Sequence, residues 1–196
     1  MICGIVMTSF FTSLKEKIFG KKDTNAERLV SVTKLAPKIF EEPGKLLYVG
    51  ARQDRMDFGN ELKAAGHEFT ILEIFEPNVK HLIQVCPWAT VIHGDVRNLE
   101  NFSEDEFDYA FWWHGPEHIK EEELVDAVQG LEKITKKIVV LGCPWGVYPQ
   151  HHLHGNPHEE HEASLYPHHF EKMGYDVEAI GTIDKPGSNL TAVKHF

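Results

Sequence analysis

The sequence predicts an α/β domain, a three-layer sandwich in which helices cover both faces of a mostly parallel sheet. Three observations predict it. Short apolar runs alternate with amphipathic helical stretches from residue 45 onward, the pattern of βαβ units. The runs are continuous rather than alternating, as strands buried on both faces require. Near the end the rhythm changes to two apolar stretches around Asp184-Lys185-Pro186-Gly187-Ser188, a turn signal that closes the sheet with an antiparallel strand.

The elements follow in order. Residues 13–40 read as helical, with Thr24 or Asn25 as a cap and Leu29, Val32 and Leu35 on one apolar side. Segment 1–40 is expected as a helical extension or lid, and 41–196 as the α/β domain. Pro43-Gly44 breaks the helix, and LLYVG (46–50) is the first strand. A helix over 56–66 carries Phe58, Leu62 and Ala65 at helical spacing and ends on Gly66. FTILEI (69–74) is the second strand, and Pro77 opens a helix through Leu82. TVIHGD (90–95) and FDYAFWW (107–113) are the third and fourth strands. Residues 121–134 place Leu124, Val128, Leu131 and Ile134 on one helical face before the fifth strand, 136–142. A helix near 167–173 precedes the closing hairpin.

Composition narrows the function. The 196 residues fit one domain, and 20 basic against 30 acidic residues give a net charge of −10. That balance argues against a nucleic-acid partner, which needs a basic face. Cys3, Cys86 and Cys143 are few, scattered and odd in number, so no disulfide framework is expected and a reducing cytoplasm is. The opening MICGIVMTSFF is apolar but has no basic flank and is too short to span a bilayer, so it is expected as a packed or poorly ordered segment rather than an export signal. No membrane association is expected.

In this setting several motifs fall in a known order. KLLYVGARQD ends the first strand in a glycine turn, ILEIFEP ends the second in an acid, HGDVRNL places an acid after the third, and FDYAFWWHGPEHI follows the fourth with Glu117-His118-Ile119. Over roughly 45–196 the chain resembles the class I S-adenosylmethionine-dependent methyltransferases, and the loop and helix after strand five are similar to those of small-molecule and sugar methyltransferases. The resemblance implies sheet order 3-2-1-4-5-7-6 with strand seven antiparallel, and S-adenosylmethionine as cofactor. It also implies direct methyl transfer to oxygen or nitrogen of a small molecule, such as a sugar or a glycan or natural-product precursor.

The resemblance implies a cofactor site at Gly50, Ala51, Arg52, Glu73, Ile74, Asp95, Val96 and Trp112. Gly50 is a single glycine where the family has more. S-adenosylmethionine lacks the pyrophosphate that demands several glycines in dinucleotide enzymes, so one close backbone approach suffices. Arg52 is placed to pair with the cofactor carboxylate, or is solvated. Glu73 lies 23 residues beyond Gly50, near the roughly 20 expected of a ribose-binding acid. Asp95 could accept from the adenine amino group or simply serve its turn. Trp112 and Trp113 point to opposite faces, so at most one meets the cofactor cleft.

For chemistry, an acceptor hydroxyl must lose a proton, and a neutral histidine suits that work. His114, just past strand four, is the first candidate. Glu117 and His118 lie beside it, where open α/β sheets bind ligands, or only cap the following loop and helix; His118 reads as a cap. Seven of the 13 histidines fall at 151, 152, 154, 158, 161, 168 and 169, in a long loop and the helix after it. His154, His158 and His161 are candidates for substrate binding or catalysis, and His158 and His161 would share a helix face. Tyr148, Asn156 and Trp145 could shape a polar pocket. The loop histidines could instead ligate a metal, giving a metal-dependent enzyme, or lie on the surface; no catalytic metal is expected. A third alternative is a non-catalytic protein that binds S-adenosylmethionine.

Overall fold

A computed structural model describes residues 24–51 and 56–196. The expected helix near 13–19 and the side chain of Arg52 lie outside the described residues. Seven strands form one sheet: β1 (Lys45–Val49), β2 (Glu68–Glu73), β3 (Thr90–His93), β4 (Phe107–Trp113), β5 (Thr135–Cys143), β6 (Asp176–Ile180) and β7 (Asn189–His195). Their order is β3-β2-β1-β4-β5-β7-β6, and β7 runs antiparallel to both β5 and β6. The remaining neighbours pair in parallel.

The helices are α1 (Thr24–Leu35), α2 (Lys38–Glu41), α3 (Gly59–Ala64), α4 (Glu76–Val85), α5 (Glu121–Lys133) and α6 (Pro167–Glu171). Pro37 ends the long helix expected over 25–40 and splits it into α1 and α2, because proline has no N–H for the ladder.

Strand alternation makes two cores. On β1, Leu47 and Val49 face one side, and Leu46 and Tyr48 the other. On β4, Ala110 and Trp112 face the first side, and Tyr109, Phe111 and Trp113 the second. The first core is closed by Leu124, Val128 and Leu131 of α5 and Phe170 of α6. The second is closed by Val32 of α1, Ile39 of α2, Leu62 of α3 and Leu82 of α4. Each such side chain contributes on the order of 1.5–3 kcal/mol of burial free energy. Segment 24–41 therefore shares the second core with the sheet. Ser31 Oγ donates to Glu178 Oε2 of β6 at 3.0 Å, which fixes α1 over the sheet's C-terminal half.

Among the described residues no helix is long and apolar enough to cross a membrane. Cys86 and Cys143 are both buried.

Candidate functional site

Between β1 and β4 the strand order reverses, and a crevice opens at the carboxyl ends of the strands, where open α/β sheets bind ligands. Gly50 turns the chain there with φ +78, a conformation that favours glycine. Among the described residues, a Cβ built at this position would meet nothing within 4 Å, so the space beside the turn is open. Two adjoining cavities occupy the crevice and share Gly50, His114, His118 and Glu159 as walls.

The first, of about 100 Å³, is lined by Gly50, Glu73, Ile74, Asp95, Val96 and Trp112. Glu73 is only 4% exposed although it is a carboxylate. The backbone N–H of Phe75 donates to its Oε1 at 2.8 Å, and the Asn78 side chain gives a further bond. Burial is the larger influence and raises its pKa to about 7, with the Phe75 and Asn78 bonds opposing and Glu159 adding to the rise. Asp95 lines the same cleft but holds Arg97 through both oxygens, at 2.6 Å to Nη2. Burial alone would raise its pKa; the bonds and charge of Arg97 carry it below the ordinary value. Ala51 is fully buried in the second core, behind the turn. Trp112 and Trp113 divide as strand geometry requires: Trp112 lines the first cavity and Trp113 the second.

The second cavity, of about 360 Å³, is polar; Arg28, Tyr48, Asp57, His114, Tyr148 and Gln150 are among its walls. His114 sits at the end of β4 with φ +50, a conformation sparsely populated by non-glycine residues, and its N–H is anchored to Gly142 O at 2.8 Å. Arg28 Nη1 lies 3.2 Å from His114 Nε2, and Glu117 Oε1 lies 3.3 Å from His114 Nδ1. A guanidinium only donates, so Nε2 is the acceptor and Nδ1 carries the proton toward Glu117. This gives a histidine whose lone pair faces the cavity wall and whose far side is backed by a carboxylate.

Glu117 is 2% exposed on a 3₁₀ turn, Pro116–His118. Three imidazoles surround its Oε1: His114 at 3.3 Å, and the Nε2 atoms of His118 and His161 at 4.0 Å each. Burial would raise its pKa, but the His114 hydrogen bond and the nearby histidines bring it below the usual carboxylate range. Burial lowers the pKa of His161 more than Glu117 raises it.

The seven histidines at 151–169 do not form one cluster. His151 and His152 reach out to Glu160, while His168 and His169 stack on Tyr166. His154 is exposed and lines a separate cavity with Phe75 and His81. His158 is exposed at the rim of the first cavity, and its N–H bonds to the Asn156 side chain. His161 alone of these seven enters the second cavity. His158 and His161 do not share a helix face, because the 3₁₀ turn Pro157–Glu159 ends between them. Tyr148 lines the second cavity and buried Asn156 the first, while Trp145 packs against the first core.

The loop carrying His161 is pinned to the 3₁₀ turn after β4: the N–H groups of Glu162 and Ala163 both donate to the Glu117 carbonyl, at 2.9 and 3.2 Å. In sequence His118 reads as a cap and Glu117 is left open, while Arg28 and Asp57 carry no motif. Arg28 is 86 residues from its partner His114, so nothing in its neighbourhood signals the contact.

No protein-family model and no curated protein matches the sequence. Solved structures do match. A protein from Pyrococcus horikoshii is 16% identical, covering 88% of this chain and 91% of that one, with a TM-score of 0.62. A SAM-dependent methyltransferase from Archaeoglobus fulgidus is 15% identical over 95% and 100% of the chains, with a TM-score of 0.60. The 1,6-didemethyltoxoflavin-N1-methyltransferase of Burkholderia thailandensis, solved with S-adenosylhomocysteine and 1,6-didemethyltoxoflavin, is 14% identical over 98% and 88%, with a TM-score of 0.62. The sheet order, the reversal at β1/β4 and these likenesses together make this the fold of the class I S-adenosylmethionine-dependent methyltransferases.

Proposed function

We propose that the chain is an enzyme that uses S-adenosylmethionine to methylate an oxygen or nitrogen of a small polar molecule. The observation that carries this reading is Glu73: a buried carboxylate at the end of β2, facing a hollow beside Gly50. A carboxylate so enclosed is costly even with the Phe75 and Asn78 bonds, and two ribose hydroxyls would add further donors. Ile74, Val96 and Trp112 offer an apolar wall for a flat base, and Asp95 a polar edge beside it.

When bound, the cofactor would supply an electrophilic methyl group on a sulfonium. The protein's part is to hold the acceptor in line and take its proton. The second cavity supports this role. An acceptor hydroxyl that takes the place of the Arg28 guanidinium would donate to His114 Nε2, with Glu117 stabilising the imidazolium that results. Arg28, Asp57, Tyr148 and Gln150 suit a ligand rich in hydroxyl or charged groups, such as a sugar derivative.

Calorimetry with S-adenosylmethionine and S-adenosylhomocysteine tests the reading. Micromolar binding of both, lost in Glu73→Ala, is expected; no heat from either ligand rejects it. Binding without turnover on any acceptor would favour a non-catalytic binding protein.

A further inference from the structure

We propose that Glu117, His118 and His161 form a binding site for a divalent transition-metal cation in the wall of the polar cavity. Their donor atoms lie within 4.8 Å of one another, the only such group of three or more His, Cys, Asp or Glu among the described residues.

His118 Nδ1 lies 3.0 Å from Glu160 O, and His161 Nδ1 lies 2.5 Å from Tyr148 O. A carbonyl only accepts, so each ring carries a proton on Nδ1, and in its neutral form each turns an Nε2 lone pair inward. Both lone pairs converge on Glu117 Oε1, at 4.0 Å each. With both rings neutral, three electron-rich atoms face one another, an arrangement a cation relieves. Glu117 Oε2 is itself buried without a hydrogen-bond partner among the described residues. A buried oxygen left unpaired costs free energy that a metal bond would offset.

The supporting shell is that of a built site. Metal-ligating histidines characteristically give their other N–H to a backbone carbonyl, as both do here. His114 donates to the same carboxylate from outside the set. Glu117 and His118 share one 3₁₀ turn, and the loop that brings His161 is bonded to the Glu117 carbonyl. Metal–donor bonds of about 2.0–2.2 Å need the donors to close by roughly an ångström, within the reach of ring rotation.

Two imidazoles and one carboxylate suit zinc, iron, cobalt or nickel rather than magnesium or calcium, and leave positions open for outside ligands. Those positions face the cavity lined by Arg28 and Gln150. On the methyl-transfer reading, a cation there would hold an acceptor oxygen and lower its pKa beside His114. The metal site itself does not depend on that reading.

The test uses the whole chain, stripped with a chelator and dialysed. Co²⁺ is added and followed by its visible d–d absorption, and Zn²⁺ by calorimetry. One equivalent is expected, with affinity falling at least about tenfold in both His118→Ala and His161→Ala. The double variant His151→Ala/His152→Ala should bind as the wild type does. Circular dichroism checks that each variant folds; if His161→Ala does not, His118→Ala and His161→Gln decide. Absence of a saturable equivalent overturns the proposal, as does unchanged affinity in the site variants, or loss confined to the His151/His152 variant. Cobalt uptake without any S-adenosylhomocysteine binding would reject the methyl-donor reading and leave the metal site standing; the reverse result would do the opposite.

Discussion

Glu73→Gln should make the protein more stable and less able to bind. The carboxyl pKa rises from 4.5 to about 7 on folding, first because the group is buried. An acid whose folded pKa is raised keeps its proton more tightly when native, so its contribution to stability is greatest below pH 4.5 and is lost as pH climbs through 7. At 1.36 kcal/mol per unit, the burial penalty is about 1 kcal/mol at pH 5 and about 3 kcal/mol at pH 8. Glutamine is nearly isosteric, can still accept from the Phe75 N–H and carries no charge to desolvate. Urea denaturation of wild type and variant at both pH values measures the difference. The variant's advantage should grow by about 2 kcal/mol from pH 5 to pH 8. In the same variant, S-adenosylhomocysteine affinity should drop by about 10–100-fold, since hydrogen bonds to a charged acceptor are worth about 1.5–3 kcal/mol. Wild-type affinity should also fall as pH drops below 7, where the carboxylate protonates. A stability difference that does not change with pH would refute the buried-carboxylate argument, and unaltered binding would refute the assignment of its partner.

Other consequences can be checked on the same protein. Gly50→Ala meets no steric block but must hold φ +78; it should cost about 1–2 kcal/mol in stability, with a larger proportional loss of cofactor affinity because the methyl enters the cleft. Equal affinity would show that the hollow is not the binding site. Gly142→Ala puts a Cβ 2.2 Å from the Trp113 ring that pairs with it across β4 and β5; overpacking of this kind should cost about 1–3 kcal/mol, visible as a lowered melting temperature. Nitrogen NMR of the neutral His114 ring should report the proton on Nδ1, with Arg28→Ala relaxing that preference; a proton on Nε2 in the wild type would contradict the Arg28 contact.

The strands and their faces were legible because their causes are local. A continuous apolar run such as 46–49 can be buried on both sides only in the middle of a sheet, and the hairpin residues at 184–188 announce the antiparallel strand. Glu73 was legible for a related reason: an acid at the end of a buried strand, at a fixed distance from a glycine turn, has few places to go. The histidine loop was not. Seven imidazoles within nineteen positions look alike in sequence, yet their partners differ: His161 gives its Nδ1 proton to the Tyr148 carbonyl, His152 meets the Glu160 carboxylate, and His169 Nδ1 accepts from the Tyr166 N–H. Asp95 shows the same limit, since Arg97 two positions on occupies both its oxygens.

By itself the sequence determined a parallel sheet with a closing hairpin, and a glycine turn and an acid at the ends of its first two strands, because burial period and turn chemistry act over a few residues. Only the tertiary structure decided that Arg28 from α1, His114 and Glu117 after β4, and His161 from the loop after β5 face one cavity. Those groups come from separate segments, and what unites them is the order of strands and the docking of a loop on the Glu117 carbonyl, neither of which any stretch of chain encodes alone.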